Sequence, residues 1–158
     1  RIYNANSQLI KLEKKQKCNS MTRKRVSTIS SADCLTYMAG KTAPLCTQAS
    51  DLQKEFYAVV KGNGYIPVTI VEYIRTAFTD SRGNVRITFD RNISSTDKIS
   101  SFLDSRIDSV PLLPKGIHIL EVKYDEFLPE YIADVLTLGT LQQSAFSKYA
   151  YSRNYNQY

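Results

Sequence analysis

Residues 117–131 read IHILEVKYDEFLPEY, and residues 68–90 read VTIVEYIRTAFTDSRGNVRITFD. Both alternate in the way a strand does, and side chains alternate across a strand. In the first, Leu120 and Val122 fall on one side, and Glu121 and Lys123 on the other. In the second, Ile87 and Phe89 oppose Arg86 and Thr88, and Ile70 and Ile74 oppose Tyr73 and Arg75. Turn residues at 80–84, DSRGN, mark 68–90 as a hairpin. The segments therefore predict a sheet with one apolar and one charged face. A charged face is either ordinary solvated surface or the wall of something that holds anions.

Working outward, residues 1–4 read as the end of a strand, followed by turn residues Asn4, Asn6 and Ser7. Residues 8–17 alternate Ile10 and Leu12 against Lys11, Glu13, Lys15 and Lys17. A turn at 18–20 leads into a strand over 22–29 that carries Arg23, Lys24 and Arg25. So much like charge on one antiparallel pair is unfavourable without counter-anions, unless the long side chains splay into water. Ser30 followed by Asp33 predicts a helix start, with Gly40 as its stop. A second helix starts after Ser50, packs Leu52, Phe56, Val59 and Val60, and stops at Gly62. Residues 92–108 are Ser-rich and aperiodic, and predict a surface excursion with a short strand or turn. Helices are expected over 126–138, with Pro129 in the first turn, and over 141–153, with Phe146 and Tyr149 packing. The end, 154–158, reads as frayed.

The length suits one domain over 1–158 with a real core. Lys and Arg outnumber Asp and Glu 21 to 15, a net charge of +6, which predisposes the chain to polyanions. Cys18, Cys34 and Cys46 show no metal-type spacing and predict reduced thiols in the cytoplasm. No run of about 18 apolar residues is present, so no membrane span is expected. The eleven tyrosines are scattered rather than set as base-stacking platforms, which argues against a nucleic-acid partner.

Most catalytic sets are excluded by composition. His118 is the only histidine, which rules out a histidine metal cluster, and it reads as a packed or surface residue. Gly62-Asn63-Gly64 lacks the context of a dinucleotide loop. What remains is a set of strand-borne cations: Lys11, Lys15, Arg75, Arg86 and Lys123 can converge on one concavity that favours polyphosphate. Interleaved Glu13 and Glu121 either neutralise these cations or hold a divalent metal through hard oxygen ligands.

The segments RIYN, LEKKQK, YIRTAF, VRITFD, LEVKYDEFLPEYI and SKYAYSR, in this order across nearly the whole chain, resemble the VTC domain. This is the catalytic domain of the vacuolar transporter chaperone complex, and the likeness is greatest to its bacterial relatives, in the CYTH or triphosphate tunnel superfamily. The resemblance implies an α+β fold: an antiparallel β-tunnel with a basic interior and flanking helices, here without the family's first strand. It implies a polyphosphate polymerase that moves the terminal phosphate of ATP, or another triphosphate, onto inorganic polyphosphate with Mn²⁺ or Mg²⁺.

Carried over by position, Arg1 matches the second arginine of R-x-R, and Glu13 and Lys15 match E-x-K. Lys24 is the next tunnel cation, with Arg23 or Arg25 replacing it in a shifted register. Tyr73 and Arg75 match Y-x-R, and Arg86 matches the arginine of the V-R-x-(S/T)-x-D strand. Glu121 matches a metal-binding glutamate, beside Lys123, and Lys148 matches the lysine of the S-K-(F/Y) helix at one tunnel end. Arg75, Arg86, Lys123 and Lys15 would be catalytic, and Glu121 and Glu13 would hold the metal. A membrane-protein partner and a place at the inner face of the membrane also suit this reading. The alternatives are a triphosphate or polyphosphate hydrolase of the same superfamily, and a non-catalytic polyphosphate-binding module.

Overall fold

The computed structural model describes residues 1–18, 21–44, 47–137, 139 and 143–155. The fold is α+β. Strand pairing among the described residues makes one two-stranded and one four-stranded antiparallel sheet, and no closed barrel. The chain divides into two compact units, Arg1–Val68 with Asp97–Ile107, and Thr69–Thr96 with Asp108–Tyr158.

In the first unit, β1 (Ile10–Cys18) pairs with β2 (Met21–Ile29). Of the turn expected at 18–20, Cys18 still belongs to β1, and residues 19 and 20 lie outside the described residues, as does Cys46. The register sets Lys14 opposite Arg25 and Lys15 opposite Lys24, the like-charge pairs anticipated from the sequence. Carboxylates offset them on both faces. Glu55 of α2 (Asp51–Asn63) hydrogen-bonds both Lys14 and Arg25, and Glu13 pairs with Lys24 at 2.9 Å and Arg1 at 3.4 Å.

The helix α1 (Ser31–Met38) starts where expected, with Ser30 Oγ accepting from the Asp33 amide. Its buried Tyr37 meets Phe56 edge-on at 4.8 Å. A capping box between Ser50 and Gln53 opens α2, and the same two residues dock it on β2 through Ser27 and Thr28. This helix runs past the expected stop at Gly62. Its end is set by Gly64, whose φ of 65° is the left-handed conformation that releases the last carbonyls.

In the second unit, β4 (Val85–Thr96) is flanked by β3 (Ile70–Asp80) on one edge. Its other edge takes β5 (Val110–Pro111) and β6 (Ile119–Lys123). The expected excursion at 92–108 is thus partly strand: β4 continues through a register shift, opposite 72–74, to Thr96. Asn92 takes a φ of 50° at this bulge, which is why the periodicity fades there.

The hairpin tip is tied to the segment after β6. The Asp125 amide donates to Gly83 O at 3.1 Å, Asn84 Nδ2 to Asp125 at 2.7 Å, and Tyr131 OH to Asp80 at 2.5 Å. The helix α3 (Glu130–Leu136) begins later than expected, because Pro129 caps it and the residue before a proline is kept out of helical conformation. Likewise α4 (Lys148–Tyr155) begins at Ser147, whose carbonyl accepts the first helical bond, from Tyr151, and 143–147 are not helical. Phe146 stacks on Tyr151 at 4.5 Å, but Tyr149 is exposed rather than packed. Leu138 and Leu141 lie outside the described residues, as do 156–158 in the end expected to fray.

The two faces of this sheet separate as the alternation predicts, but burial does not follow polarity. On the polar face Thr88 and Asp90 are 2% and 1% exposed, while Arg86 and Lys123 around them are exposed; on the apolar face Val85 is buried, while Ile74 and Phe78 are 54% and 57% exposed. Thr88 and Asp90 are therefore the enclosed polar side chains, and the cations rim them.

Candidate functional site

Three cross-strand pairs build the polar face: Arg75 opposite Asp90, Thr88 opposite Glu121, and Arg86 opposite Lys123. A concavity on that face is lined by Arg75, Arg86, Thr88, Glu121 and Lys123. Arg75 makes a side-on fork with Asp90, Nε to Oδ1 at 2.6 Å and Nη2 to Oδ2 at 2.7 Å. Lys148 of α4 reaches the same carboxylate at 2.6 Å. The Tyr73 ring lies 5.2 Å from the Arg75 guanidinium and 5.0 Å from the Lys148 ammonium, so both cations rest against its π-face. Glu121 faces Lys123 at 3.3 Å and Arg75 at 3.8 Å, with Thr88 Oγ1 at 3.5 Å. Among the described residues Arg86 has no carboxylate partner.

Burial opposes ionisation of Asp90, but hydrogen bonds and charge from Arg75 and Lys148 outweigh it and hold its carboxyl below the usual range. The bond to Asp90, in turn, raises the Arg75 guanidinium further above its ordinary value. Arg75 and Asp90 are consequently held as an ion pair, in a wall with more basic than acidic side chains. It offers fixed donors to an anion.

The sequence-predicted residues fall into two sets. Tyr73, Arg75, Arg86, Glu121, Lys123 and Lys148 are brought together in the second unit. Glu13, Lys15 and Lys24 sit on the hairpin of the first, with Arg1 hydrogen-bonded alongside at Lys11. There Glu13, its side chain 8% exposed, is gripped by Arg1 and Lys24 and lies 3.5 Å from Tyr3 OH. Burial opposes ionisation of Glu13 as well, and the Lys24 hydrogen bond and Arg1 charge overcome it. Lys11, also on this hairpin, stacks over Tyr3 at 5.2 Å. His118 is exposed just ahead of β6. Cys18 and Cys34 are free thiols.

Among the described residues no group of three or more His, Cys, Asp or Glu is placed to hold a metal. Glu121 is one carboxylate in a cationic wall. That donor set suits an oxygen-loving cation that takes most of its ligands from phosphate and water, as Mg²⁺ does.

Asp90 and Thr88 are the site residues that sequence reasoning left without a role. A signal existed for Asp90: aspartate is depleted in strands, and the alternation already placed it on the face of Arg86.

The VTC domain family model matches residues 1–155. The chain belongs to the VTC domain family. Comparison with curated proteins and with solved structures found no match. The family is polyphosphate-polymerase-like and its members are enzymes, which agrees in kind with a cationic, phosphate-suited wall in this VTC domain. Among the described residues no helix is long and apolar enough to cross a membrane.

Proposed function

We propose that this VTC domain transfers the terminal phosphate of ATP to the end of a polyphosphate chain. One observation carries the reading: Arg75, Arg86 and Lys123, from three different strands, line one concavity of the sheet together with Thr88 and Glu121. Cations gathered around one hollow repel each other, and a polyphosphate would offset that repulsion.

In this reading Arg86 and Lys123 hold non-bridging oxygens of the donor, and Arg75 holds the phosphoryl group in flight. A loose phosphoryl-transfer transition state needs alignment and charge neutralisation more than a protein nucleophile. The attacking group, a terminal phosphate, is already an anion, so no general base is needed. A divalent cation held by Glu121 would supply charge stabilisation at the transferred phosphate. Lys148 and Tyr73 border the same face. In the first unit, Arg1, Lys15 and Lys24 are assigned to phosphate binding by the same chemistry, and Glu13 to metal binding. A closed tunnel, Mn²⁺ as the preferred metal, a cytoplasmic site and a membrane-protein partner belong to the same proposal.

Incubation with ATP and Mn²⁺, followed by separation of long chains from orthophosphate, tests the reading. Long chains are expected. Orthophosphate alone would make the domain a hydrolase, and neither product would end the enzymatic reading.

The grip of Lys123 and Arg75 on Glu121 favours a second reading, a non-catalytic polyphosphate binder in which that carboxylate is only a counter-charge. A binder keeps its affinity in Glu121→Ala and shows no metal-dependent turnover in any form.

A further inference from the structure

We propose that Asp90 is a positioning residue: its enclosed carboxylate fixes one edge of the Arg75 guanidinium so that the other edge faces the phosphate. The inference rests on the phosphate reading of the wall and adds to it a residue and a role.

A buried carboxylate in mid-strand is costly, and its pairing with cations seldom stabilises a fold more than apolar packing would. Asp90 is 1% exposed, and its two oxygens are met by Arg75 and Lys148 at 2.6–2.7 Å. The fork uses Nε and one hydrogen of Nη2. Arginine has five N–H donors in one plane, so three remain: both on Nη1 and the second on Nη2. Two of these, one on each Nη, form the end-on edge, an edge arginine uses for two-point contact with phosphate. Glu121 already marks that direction, with Oε2 3.8 Å from Nη2. The Tyr73 ring, against both the Arg75 guanidinium and the Lys148 ammonium, limits the other motions of the two cations. Arg75 is therefore held from behind and offered forward.

The positioning role and a plain counter-charge role differ in sign. Asp90→Asn removes a negative charge beside an anion site, so a mere counter-charge would leave tripolyphosphate bound more tightly. Positioning predicts weaker binding despite the added positive charge, by about ten-fold, the scale of one charge-assisted hydrogen bond.

The measurement is calorimetric titration of the full chain with metal-free tripolyphosphate at low salt. Wild type, Asp90→Asn, Arg75→Ala and the double variant are compared, each checked by thermal unfolding. In the Arg75→Ala background the Asp90→Asn change is expected to cost nothing further. Should Asp90→Asn fail to fold, Asp90→Glu replaces it. That variant keeps the charge but moves the carboxylate by one methylene, so positioning predicts loss and counter-charge predicts wild-type affinity. Tighter binding by Asp90→Asn, unchanged binding by either variant, or an undiminished Asp90→Asn loss without Arg75 overturns the inference. A wild type that does not bind tripolyphosphate overturns instead the phosphate reading beneath it.

Discussion

Arg86 on β4 and Lys123 on β6 are direct cross-strand partners, two like charges facing each other on the polar face of the sheet. Lys123 has Glu121 beside it, and Arg86 has no carboxylate among the described residues. Opposed like charges lower strand-pair stability, so this pair is a standing cost that an anion would remove. Arg86→Thr puts a good strand former in that place and breaks no ion pair. The ligand-free protein is expected to gain about 0.2–1 kcal/mol, read as a higher midpoint in urea. Its tripolyphosphate affinity should fall by about ten-fold or more, read as a smaller ligand-induced rise in melting temperature.

Glu121 separates the metal from the phosphate. With metal absent, its carboxylate competes with phosphate for Lys123 and Arg75, an exposed-pair effect of about 0.2–1 kcal/mol. Glu121→Gln should thus bind metal-free tripolyphosphate a few-fold more tightly. Metal-dependent turnover of ATP should drop by about a hundred-fold or more, since metal charge stabilisation is worth several kcal/mol. A titration without metal and an activity assay with Mn²⁺ read the two effects separately, and their opposite signs identify the carboxylate as a metal ligand.

The faces of the sheet were legible in the sequence because a period of two is strict: Arg86, Thr88 and Asp90 had to share a side, as did Leu120 and Val122. Alternation does not say which side chains of a face are buried. That depends on what lies over the sheet, and Lys148 comes to Asp90 from a helix much further along the chain. For the same reason Asp90 had no visible role until its two cations were placed around it. The caps at Ser30 and Ser50 were legible as local hydrogen-bond chemistry. The starts of α3 and α4 were not, because Pro129 and Ser147 act as caps inside stretches whose apolar spacing still looks helical. The bulge at Asn92 interrupted the alternation that would have revealed the far half of β4.

Gly83 and Gly62 should respond to alanine in opposite directions. Gly83, at the β3–β4 tip, has a φ of 69°, and a Cβ there would collide with the Phe127 carbonyl oxygen. Gly83→Ala is expected to cost about 1–3 kcal/mol from backbone strain. It should also loosen the tie to Asp125 that ends two residues beyond the Arg86–Lys123 pair. Gly62 lies inside α2 without a positive φ, and a methyl group added there would meet nothing within 4 Å. Gly62→Ala is expected to stabilise by about 0.5–1 kcal/mol. Urea midpoints of the two variants against wild type give both values.

Acid should destabilise the fold through carboxylates whose folded pKa values are depressed. Asp90 and Glu13 both titrate below their ordinary values of 3.8 and 4.5, burial notwithstanding, because Arg75 and Lys148 hold one and Lys24 and Arg1 the other. With a lowered folded pKa, the unfolded chain binds the proton first as pH falls, so stability rises with pH in that window. The contribution is complete above the ordinary values and disappears as pH drops through the depressed ones. Urea midpoints should therefore be level from neutrality down to about pH 5, then fall steeply toward about pH 3. Asp90→Asn has no carboxylate to protonate and should flatten part of that fall. A slope identical to wild type would mean that Asp90 is not held ionised by Arg75 and Lys148.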